Sequence, residues 1–262
     1  MKRFLRITAF LTAALLLIFA VCSCSQKSGG SSDTTNDSIP TGVGRNDTAK
    51  DTDDDLSPSG AGRTIDAVPA TEEEAIEKTV FVGDSICSGF RVYGIIPPNN
   101  NLAVGNVGAR SIFDYEFTVD GENYDLITAL MLVDPSFIVF SMGMNDINMT
   151  SEQEYCDNYD GIIDKVRAAL PDAKLFVASI TPTRNTASFT NARIDLFNET
   201  LKAHYDGTDV HYIDVNSALK DGATNSLAAA YDGGDGIHLS PEAYGIIKDT
   251  FYAYCKSIGL VA

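Results

Sequence analysis

Thr79-Val80-Phe81-Val82-Gly83-Asp84-Ser85 joins a short apolar run to a glycine and then to a serine. The run is rich in β-branched and aromatic side chains and shows no polar alternation, which is typical of a strand covered on both faces. Because glycine favours turns, we predict that the strand ends at Gly83 and that Ser85 opens a helix. This segment therefore predicts the first strand of a buried parallel sheet, with a serine at its carboxyl end.

Further strand and helix patterns alternate along the rest of the chain. Four more apolar runs are of the same kind: Leu102-Ala103-Val104, Phe137-Ile138-Val139-Phe140, Leu175-Phe176-Val177-Ala178 and Val210-His211-Tyr212-Ile213. Amphipathic helical patterns cover residues 152–170 and 191–204, and Ser240 with Pro241 begins a last helix. This alternation predicts right-handed crossovers and a three-layer α/β/α sandwich around a parallel sheet of about five strands.

The first 23 residues have the pattern of an export signal. Basic residues at positions 2, 3 and 6 precede a mostly apolar run over residues 7–21, which is shorter than the ~20 residues of a membrane span. Val21-Cys22-Ser23-Cys24 resembles a bacterial lipobox, because a small residue stands directly before Cys24. We therefore expect lipidation of Cys24 and an exported lipoprotein anchored at the surface of the bacterial cell membrane. The alternative is a plain secretory signal with incidental cysteines.

Composition divides the remaining chain into a tether and a domain. Residues 24–74 are rich in Ser, Gly, Thr, Asp and Asn, and they carry the acidic run Asp51-Thr52-Asp53-Asp54-Asp55. Such a stretch buries too little apolar surface to offset its ordering entropy, so we predict a disordered acidic tether behind the lipidated cysteine. Residues 75–262 are long enough to form one domain with a sizeable core.

Charge and cysteine content argue against several classes of function. The formal net charge of −17 argues against nucleic acid as a partner and against electrostatic docking on anionic lipid. Membrane association is therefore expected through the lipid anchor only, and we infer no protein partner. Cys87, Cys156 and Cys255 form neither a disulfide framework nor a metal-ligand spacing. We predict that they are small buried side chains and that the chain binds no metal.

A candidate acid–base pair lies near the end of the chain. His238 follows the glycine-rich segment 232–236, and Asp235 stands three residues before it. This spacing allows the carboxylate to reach one ring nitrogen while the other faces Ser85, as catalysis by a serine nucleophile requires. Asp232 is the alternative carboxylate, and a helix-capping Asp235 beside a solvated His238 is the alternative interpretation. The other histidines are interpreted as boundary or structural residues: His204 and His211.

Acyl transfer also requires hydrogen-bond donors for the oxyanion that forms. Asn145 follows the strand-like run 137–140 and offers a side-chain amide. Gly108 offers a backbone N–H, because glycine allows close approach, and Ser85 offers its own backbone N–H. Taken singly, Asn145 and Gly108 are also common turn residues.

Together the motifs resemble the SGNH hydrolases, also called the GDSL family. The matching segments occur in the order Gly83-Asp84-Ser85, Asn106-Val107-Gly108, Gly143-Met144-Asn145-Asp146 and Asp235-Gly236-Ile237-His238. The resemblance covers about residues 79 to 257 and implies a flavodoxin-like fold, ester hydrolysis through an acyl-enzyme and no cofactor. It implies a Ser85 nucleophile and an oxyanion hole that includes Gly108 and Asn145. The chain departs from the family pattern at Ile86, in place of leucine, and at Ser111, in place of a second glycine.

These observations predict a surface-exposed serine esterase that acts on short-chain, first of all acetyl, esters of carbohydrates. A lipase, a lysophospholipase or a thioesterase is the alternative, because the same catalytic groups serve long and short acyl chains. Acyl transfer to a sugar instead of water is a second alternative. A non-catalytic surface binding protein is a third, since a flexible tether suits that role too.

Overall fold

Five parallel strands form the main sheet of residues 68–262, the part of the chain that the computed structural model describes. In chain order, the strands of this sheet and of two small hairpins are β1 (Thr79–Gly83), β2 (Asn101–Ala103), β3 (Phe117–Val119), β4 (Glu122–Tyr124), β5 (Phe137–Ser141), β6 (Lys174–Ala178), β7 (His211–Ile213), β8 (Lys220–Asp221) and β9 (Ser226–Leu227). The order across the main sheet is β2-β1-β5-β6-β7, and two small antiparallel hairpins, β3–β4 and β8–β9, lie outside it.

Helices connect these strands. They are α1 (Glu72–Glu77), α2 (Gly89–Val92), α3 (Leu126–Val133), α4 (Glu152–Ala169), α5 (Asn191–Tyr205), α6 (Val215–Leu219) and α7 (Pro241–Ser257), with short 3₁₀ helices at Pro98–Asn100, Ala109–Asp114 and Ala229–Tyr231. Ser151 caps α4 through a reciprocal pair of hydrogen bonds with Glu154, and Pro241 occupies the first turn of α7. Both helices therefore begin where local sequence signals favour a start.

Aromatic contacts place α4 and α7 on opposite faces of the sheet. Phe81 and Phe176 align in register with the same residue of β5, so their side chains share one face. The ring of Phe251 in α7 lies 5.8 Å and 5.1 Å from those two rings. Phe140 is the next residue of β5 and points to the other face, where Tyr159 of α4 lies 6.4 Å away. The predicted three-layer α/β/α sandwich is therefore confirmed.

The strand order is that of a flavodoxin-like sheet. Counted in chain order, the five parallel strands lie as 2-1-3-4-5, and the order reverses at β1. Two predicted strands are shifted at their ends, since β2 covers 101–103 and β7 covers 211–213. In such sheets, ligands bind beyond the carboxyl ends of the strands next to the point of reversal.

Several elements were not predicted from sequence. Helix α3 and the two hairpins are among them, and α1 begins at Glu72, before the domain boundary placed at residue 75. The hydroxyl of Tyr252 donates to the Glu72 carbonyl oxygen at 2.6 Å, and the amide of Ala262 donates to the Pro69 carbonyl oxygen at 3.0 Å. These bonds tie the residues just before the boundary to the end of the chain.

Some predictions lie outside the described residues. They are the export signal over 1–23, Cys24, and the tether up to residue 67. Within residues 68–262, no helix combines the length and apolar character needed to cross a bilayer. The predicted burial of Cys87, Cys156 and Cys255 is confirmed, and all three are free thiols.

Candidate active site

Ser85 lies in a tight turn directly after β1. A side chain at Gly83 would collide with the carbonyl group of Ser141 on the neighbouring strand, so only glycine fits there. The Asp84 carboxylate accepts hydrogen bonds from the Ile86 N–H at 2.9 Å and the Cys87 N–H at 3.4 Å. This local bonding holds the chain in a turn. The prediction that Ser85 opens a helix is wrong, because α2 begins only at Gly89.

His238 contacts both of its predicted partners. Its Nε2 lies 3.1 Å from the Ser85 hydroxyl oxygen, and its Nδ1 lies 2.7 Å from Asp235 Oδ2. The other oxygen of Asp235 accepts hydrogen bonds from the N–H groups of Ile237 and His238, at 2.9 Å and 2.8 Å. The three side chains therefore form one hydrogen-bonded chain, with the carboxylate fixed by its own backbone.

Asp232, the alternative carboxylate, organises the loop that carries His238. Its Oδ1 accepts hydrogen bonds from the N–H groups of Gly234 and Gly236, at 2.8 Å and 2.9 Å. Gly236 has a φ of +80°, and its carbonyl accepts a hydrogen bond from the Arg184 N–H at 2.8 Å. The loop is therefore held from two sides, and Asp235 is the carboxylate that contacts the histidine ring.

The pKa of Asp235 is lowered to about 2. Burial alone would raise it, but hydrogen bonds from the His238 ring and from the backbone of His238 and Ile237 outweigh burial. An ionised carboxylate on Nδ1 favours the tautomer in which Nε2 is free to accept a proton. This is the arrangement that a general base needs.

The candidate oxyanion donors lie on three separate turns. Asn145 Nδ2 donates to the Val107 carbonyl oxygen at 2.9 Å, which leaves a second hydrogen on that nitrogen. The Gly108 N–H faces the Ser111 hydroxyl oxygen at a long 3.4 Å. Within residues 68–262, the Ser85 N–H has no hydrogen-bond acceptor. Ser85 therefore presents an unoccupied donor next to its own hydroxyl group.

Two acidic residues inside the motifs, which were not predicted as site residues, lie buried beside the site. Asp84 is 2% exposed, and burial raises its pKa to about 6, although backbone N–H groups partly offset this effect. Asp146 is fully buried and bonds to the segment after Gly108. The sequence signal for both is their position beside a predicted site residue, since buried carboxylates are unusual.

The site is open to solvent. The side chains of His238 and Asp235 are 50% and 54% exposed. A narrow cavity lies beside the turn of Ser85, at the carboxyl ends of β1, β5 and β6, and Asp84, Met144 and Thr181 are among the residues that line it. Among residues 68–262, no group of three or more His, Cys, Asp or Glu side chains is arranged to hold a metal ion.

The other histidines lie away from this site. His204 Nε2 is 2.9 Å from both carboxylate oxygens of Asp160, where α4 and α5 meet. His211 Nδ1 is 3.2 Å from the Tyr254 hydroxyl, and burial lowers the pKa of its ring. Both contacts agree with the interpretation of these residues as boundary and structural side chains.

Comparison with known proteins supports the same fold. A putative acylhydrolase from Bacteroides fragilis is 18% identical, with a TM-score of 0.53 over 72% of this chain and 90% of that chain. A GDSL-like lipase from Bacteroides thetaiotaomicron is 17% identical, with a TM-score of 0.54 over 73% of this chain and 92% of that chain. These identities support the fold alone. A search of curated proteins found no match.

The sequence itself matches a family. Residues 81–246 match the GDSL-like lipase/acylhydrolase family, so the match spans all four motifs, from Gly83 to His238. The matched region also includes the hydrogen-bonded chain of Ser85, His238 and Asp235. The chain therefore belongs to the GDSL-like lipase/acylhydrolase family, a family of carboxylic ester hydrolases.

Proposed function

We propose that the chain is a serine esterase in which Ser85 is the nucleophile, His238 the general base and Asp235 the residue that orients His238. The observation that carries this proposal is the hydrogen-bonded chain from Ser85 Oγ through the His238 ring to Asp235, with distances of 3.1 Å and 2.7 Å. Those distances suit proton transfer without movement of the backbone.

Each step of the reaction uses the same two side chains. Ser85 Oγ attacks the ester carbonyl carbon while His238 Nε2 accepts the hydroxyl proton. The carbon–oxygen bond to the alcohol breaks, and His238 returns the proton to the leaving alkoxide. A water molecule then attacks the acyl-enzyme, giving one proton to His238, and the acid leaves as Ser85 Oγ takes that proton back.

The oxyanion of each tetrahedral intermediate is stabilised by the N–H groups of Ser85 and Gly108 and by Asn145 Nδ2. Support comes from the unoccupied Ser85 N–H and from the second hydrogen of the Asn145 amide. Gly108 takes part by exchanging its long contact with Ser111 Oγ for the oxyanion, because the Ser111 side chain can rotate away while the Gly108 backbone stays in place. Such donors are worth about 3–4 kcal/mol each.

We propose short-chain esters of carbohydrates, first of all acetyl esters, as the substrates. The exposure of about half of the His238 and Asp235 side chains supports a bulky alcohol component, because an open site need not enclose it. A small acyl group requires no long apolar channel. An exported enzyme meets carbohydrate esters of this kind outside the cell.

One observation favours the lipid or thioester alternative. Met149 is 68% exposed on the turn that follows Asn145, and Tyr93 is 43% exposed after α2, which follows the turn of Ser85. Apolar side chains on loops that follow site residues can contact a long acyl chain. This alternative predicts rates that rise with acyl length.

The test is hydrolysis of p-nitrophenyl esters from acetate to palmitate by the purified full chain. We expect the highest kcat/KM on acetate, a steady fall with chain length, and loss of turnover in Ser85→Ala. Ser88→Ala is the matched control, since that hydroxyl only donates to the Asp84 carbonyl oxygen, at 3.2 Å. Undiminished activity of Ser85→Ala contradicts the mechanism, and a long-chain preference transfers the substrate assignment to lipids.

We also propose that Cys24 carries a lipid that anchors the protein at the cell surface. The support is the lipobox-like segment at 21–24 behind an apolar run. Metabolic labelling with a fatty acid should mark the wild-type protein and not Cys24→Ser. Equal labelling of both proteins, or recovery of unlabelled wild-type protein in the medium, contradicts the anchor.

A further inference from the structure

The Asp146 side chain is fully buried one residue after Asn145. Its carboxylate accepts hydrogen bonds from the Ala109 N–H at 2.9 Å, the Arg110 N–H at 3.3 Å and Arg110 Nη1 at 3.2 Å. A buried carboxylate is costly unless it is paired and hydrogen-bonded. All three donors come from the two residues directly after Gly108, so Asp146 binds the loop that carries this glycine.

Gly108 fits against the same carboxylate. A Cβ atom at this position would lie 2.6 Å and 2.7 Å from the two oxygens of Asp146, and 2.9 Å from Arg110 Nη1. Real Cβ atoms do not approach oxygen so closely. The absence of a side chain at Gly108 is therefore what allows Asp146 to reach the N–H groups beyond it.

A second set of bonds joins the same two segments. Asn145 Nδ2 donates to the Val107 carbonyl oxygen at 2.9 Å, and Arg110 Nη1 donates to the Asn145 carbonyl oxygen at 2.6 Å. Because one amide hydrogen of Asn145 is held by Val107, the direction of the other hydrogen is fixed. The Gly108 loop and the Asn145 turn thus form one hydrogen-bonded unit.

We propose that Asp146 is a positioning residue that holds the Gly108 N–H and the Asn145 side-chain amide in register as oxyanion donors, with Arg110 as its counter-ion. The inference rests on the proposed function, because it takes Gly108 and Asn145 as donors. Asp146 itself is fully buried and acts only through these neighbours.

A positioning role predicts a particular kinetic signature. The oxyanion exists only in the transition state and the tetrahedral intermediate, so misplaced donors lower kcat while substrate binding stays nearly unchanged. A residue that only stabilises the fold would instead lower the melting temperature and leave kcat of the folded enzyme intact. A positioning role therefore shows in kcat, whereas a purely structural role shows in the melting temperature.

Asp146→Asn in the full chain is the test. The amide keeps one oxygen for the Ala109 N–H but loses the charge that pairs with Arg110, and its NH₂ group opposes the remaining donors. We expect kcat on p-nitrophenyl acetate to fall about 100-fold with KM within about threefold, as for loss of one oxyanion donor. Affinity for a boronic acid, which forms a tetrahedral adduct, should fall in parallel.

Asp160→Asn is the matched control. Asp160 also has side-chain partners, since its carboxylate lies 2.9 Å from His204 Nε2 and accepts a hydrogen bond from the Tyr205 hydroxyl at 3.0 Å, but it lies away from the site. We expect this control to lower the melting temperature and to leave kcat unchanged. The inference is overturned if Asp146→Asn keeps its kcat, or if it loses kcat and boronic acid affinity no more than the control does.

Arg110→Met provides a second variant if Asp146→Asn does not fold. It removes the bonds to the Asn145 carbonyl oxygen and to Asp146 but keeps both backbone contacts of the carboxylate. We expect a fall in kcat of about tenfold at constant KM, and an unchanged kcat overturns the inference. Ser85→Ala is measured beside it to separate a failure of this inference from a failure of the proposed function. If Ser85→Ala is inactive, an unchanged kcat of Arg110→Met contradicts only the role of Asp146. If Ser85→Ala is active, the proposed function itself is refuted.

Discussion

His238 Nε2 lies 3.1 Å from the Ser85 hydroxyl oxygen, although the two residues stand 153 positions apart in the chain. Ser85 is positioned by the turn after β1, and His238 by the loop before α7. Their contact therefore depends on the packing of the first parallel strand and the last helix into one structure. Turnover by this pair should be lost when that packing is lost.

Asp235→Asn tests the carboxylate of the proposed triad. An amide can present its N–H to Nδ1 and stabilise the wrong tautomer, so we expect kcat to fall about 10³- to 10⁴-fold. Asp232→Asn is the control, because its side-chain oxygen can still accept from Gly234 and Gly236. Steady-state kinetics on p-nitrophenyl acetate measure both, and an equal loss in the two variants would refute the assignment of Asp235.

Asn145→Ala removes a proposed oxyanion donor. We expect kcat to fall about 10²- to 10³-fold with a small change in KM, because the donor acts on charge that develops in the transition state. Asn148→Ala is the control on the same turn, since Asn148 Nδ2 only donates to the Ser188 carbonyl oxygen, at 2.9 Å. If Asn148→Ala loses as much kcat as Asn145→Ala, the loss reflects the turn and not the donor.

Asp84 should make the protein less stable as the pH rises from about 4 to about 6. Burial raises its pKa in the folded state to about 6, whereas an unfolded aspartate titrates near 3.9, so only the unfolded state releases this proton within that window. The nearby Asp146 also raises the Asp84 pKa, and His238 lowers it. Full ionisation of Asp84 costs about 2–3 kcal/mol of folding free energy.

Asp84→Asn removes that cost. We expect urea unfolding to show that the free energy of unfolding of Asp84→Asn, relative to that of wild type, is higher at pH 7.5 than at pH 4.5. Asp172→Asn, at an exposed position, is the control and should show no such gain. A constant difference between Asp84→Asn and wild type at both pH values would contradict the raised pKa.

Gly108→Ala should damage both stability and activity. The new Cβ would lie 2.6 Å from Asp146 Oδ1, so the loop must shift, at a cost of about 1–3 kcal/mol. Gly105→Ala is the control, because a Cβ there meets no atom within 4 Å. Thermal unfolding and kcat together measure the effect, and a Gly108→Ala protein as stable and active as Gly105→Ala would show that the close contact is not maintained.

Sequence patterns predicted the parallel strands because their side chains are buried on both faces, as in the fully buried Val80 and Phe140. The same reasoning failed at α3, where Met131 and Leu132 are 57% and 55% exposed. A helix with apolar residues on its solvent face has no amphipathic period to detect. The extent of burial therefore explains why the strands were predicted and why α3 was not.

Within the site, sequence predicted the contacts that depend on local spacing. Asp235 reaches His238 because the two residues stand three positions apart in one loop. The bonds from Ala109 and Arg110 to Asp146 span 37 and 36 positions, and no local pattern encodes them. The turn at Ser85 was missed because Asp84 bonds to the Ile86 and Cys87 N–H groups as a helix cap would, although the helix itself begins only at Gly89.

The reversal of strand order at β1 affects how this enzyme could acquire new substrates. The chain leaves β1 toward β2 on one side and returns to β5 on the other, so the segments around Ser85 diverge from a single point. The stretch between β2 and β5 carries the hairpin β3–β4, which shares no strand pairing with the main sheet. The same stretch begins with the Gly108 loop, which bonds to Asp146. Only the part after that loop can therefore be lengthened or exchanged without disturbing the catalytic groups or the register of the five strands, and the evolution of specificity through this stretch is confined to that part.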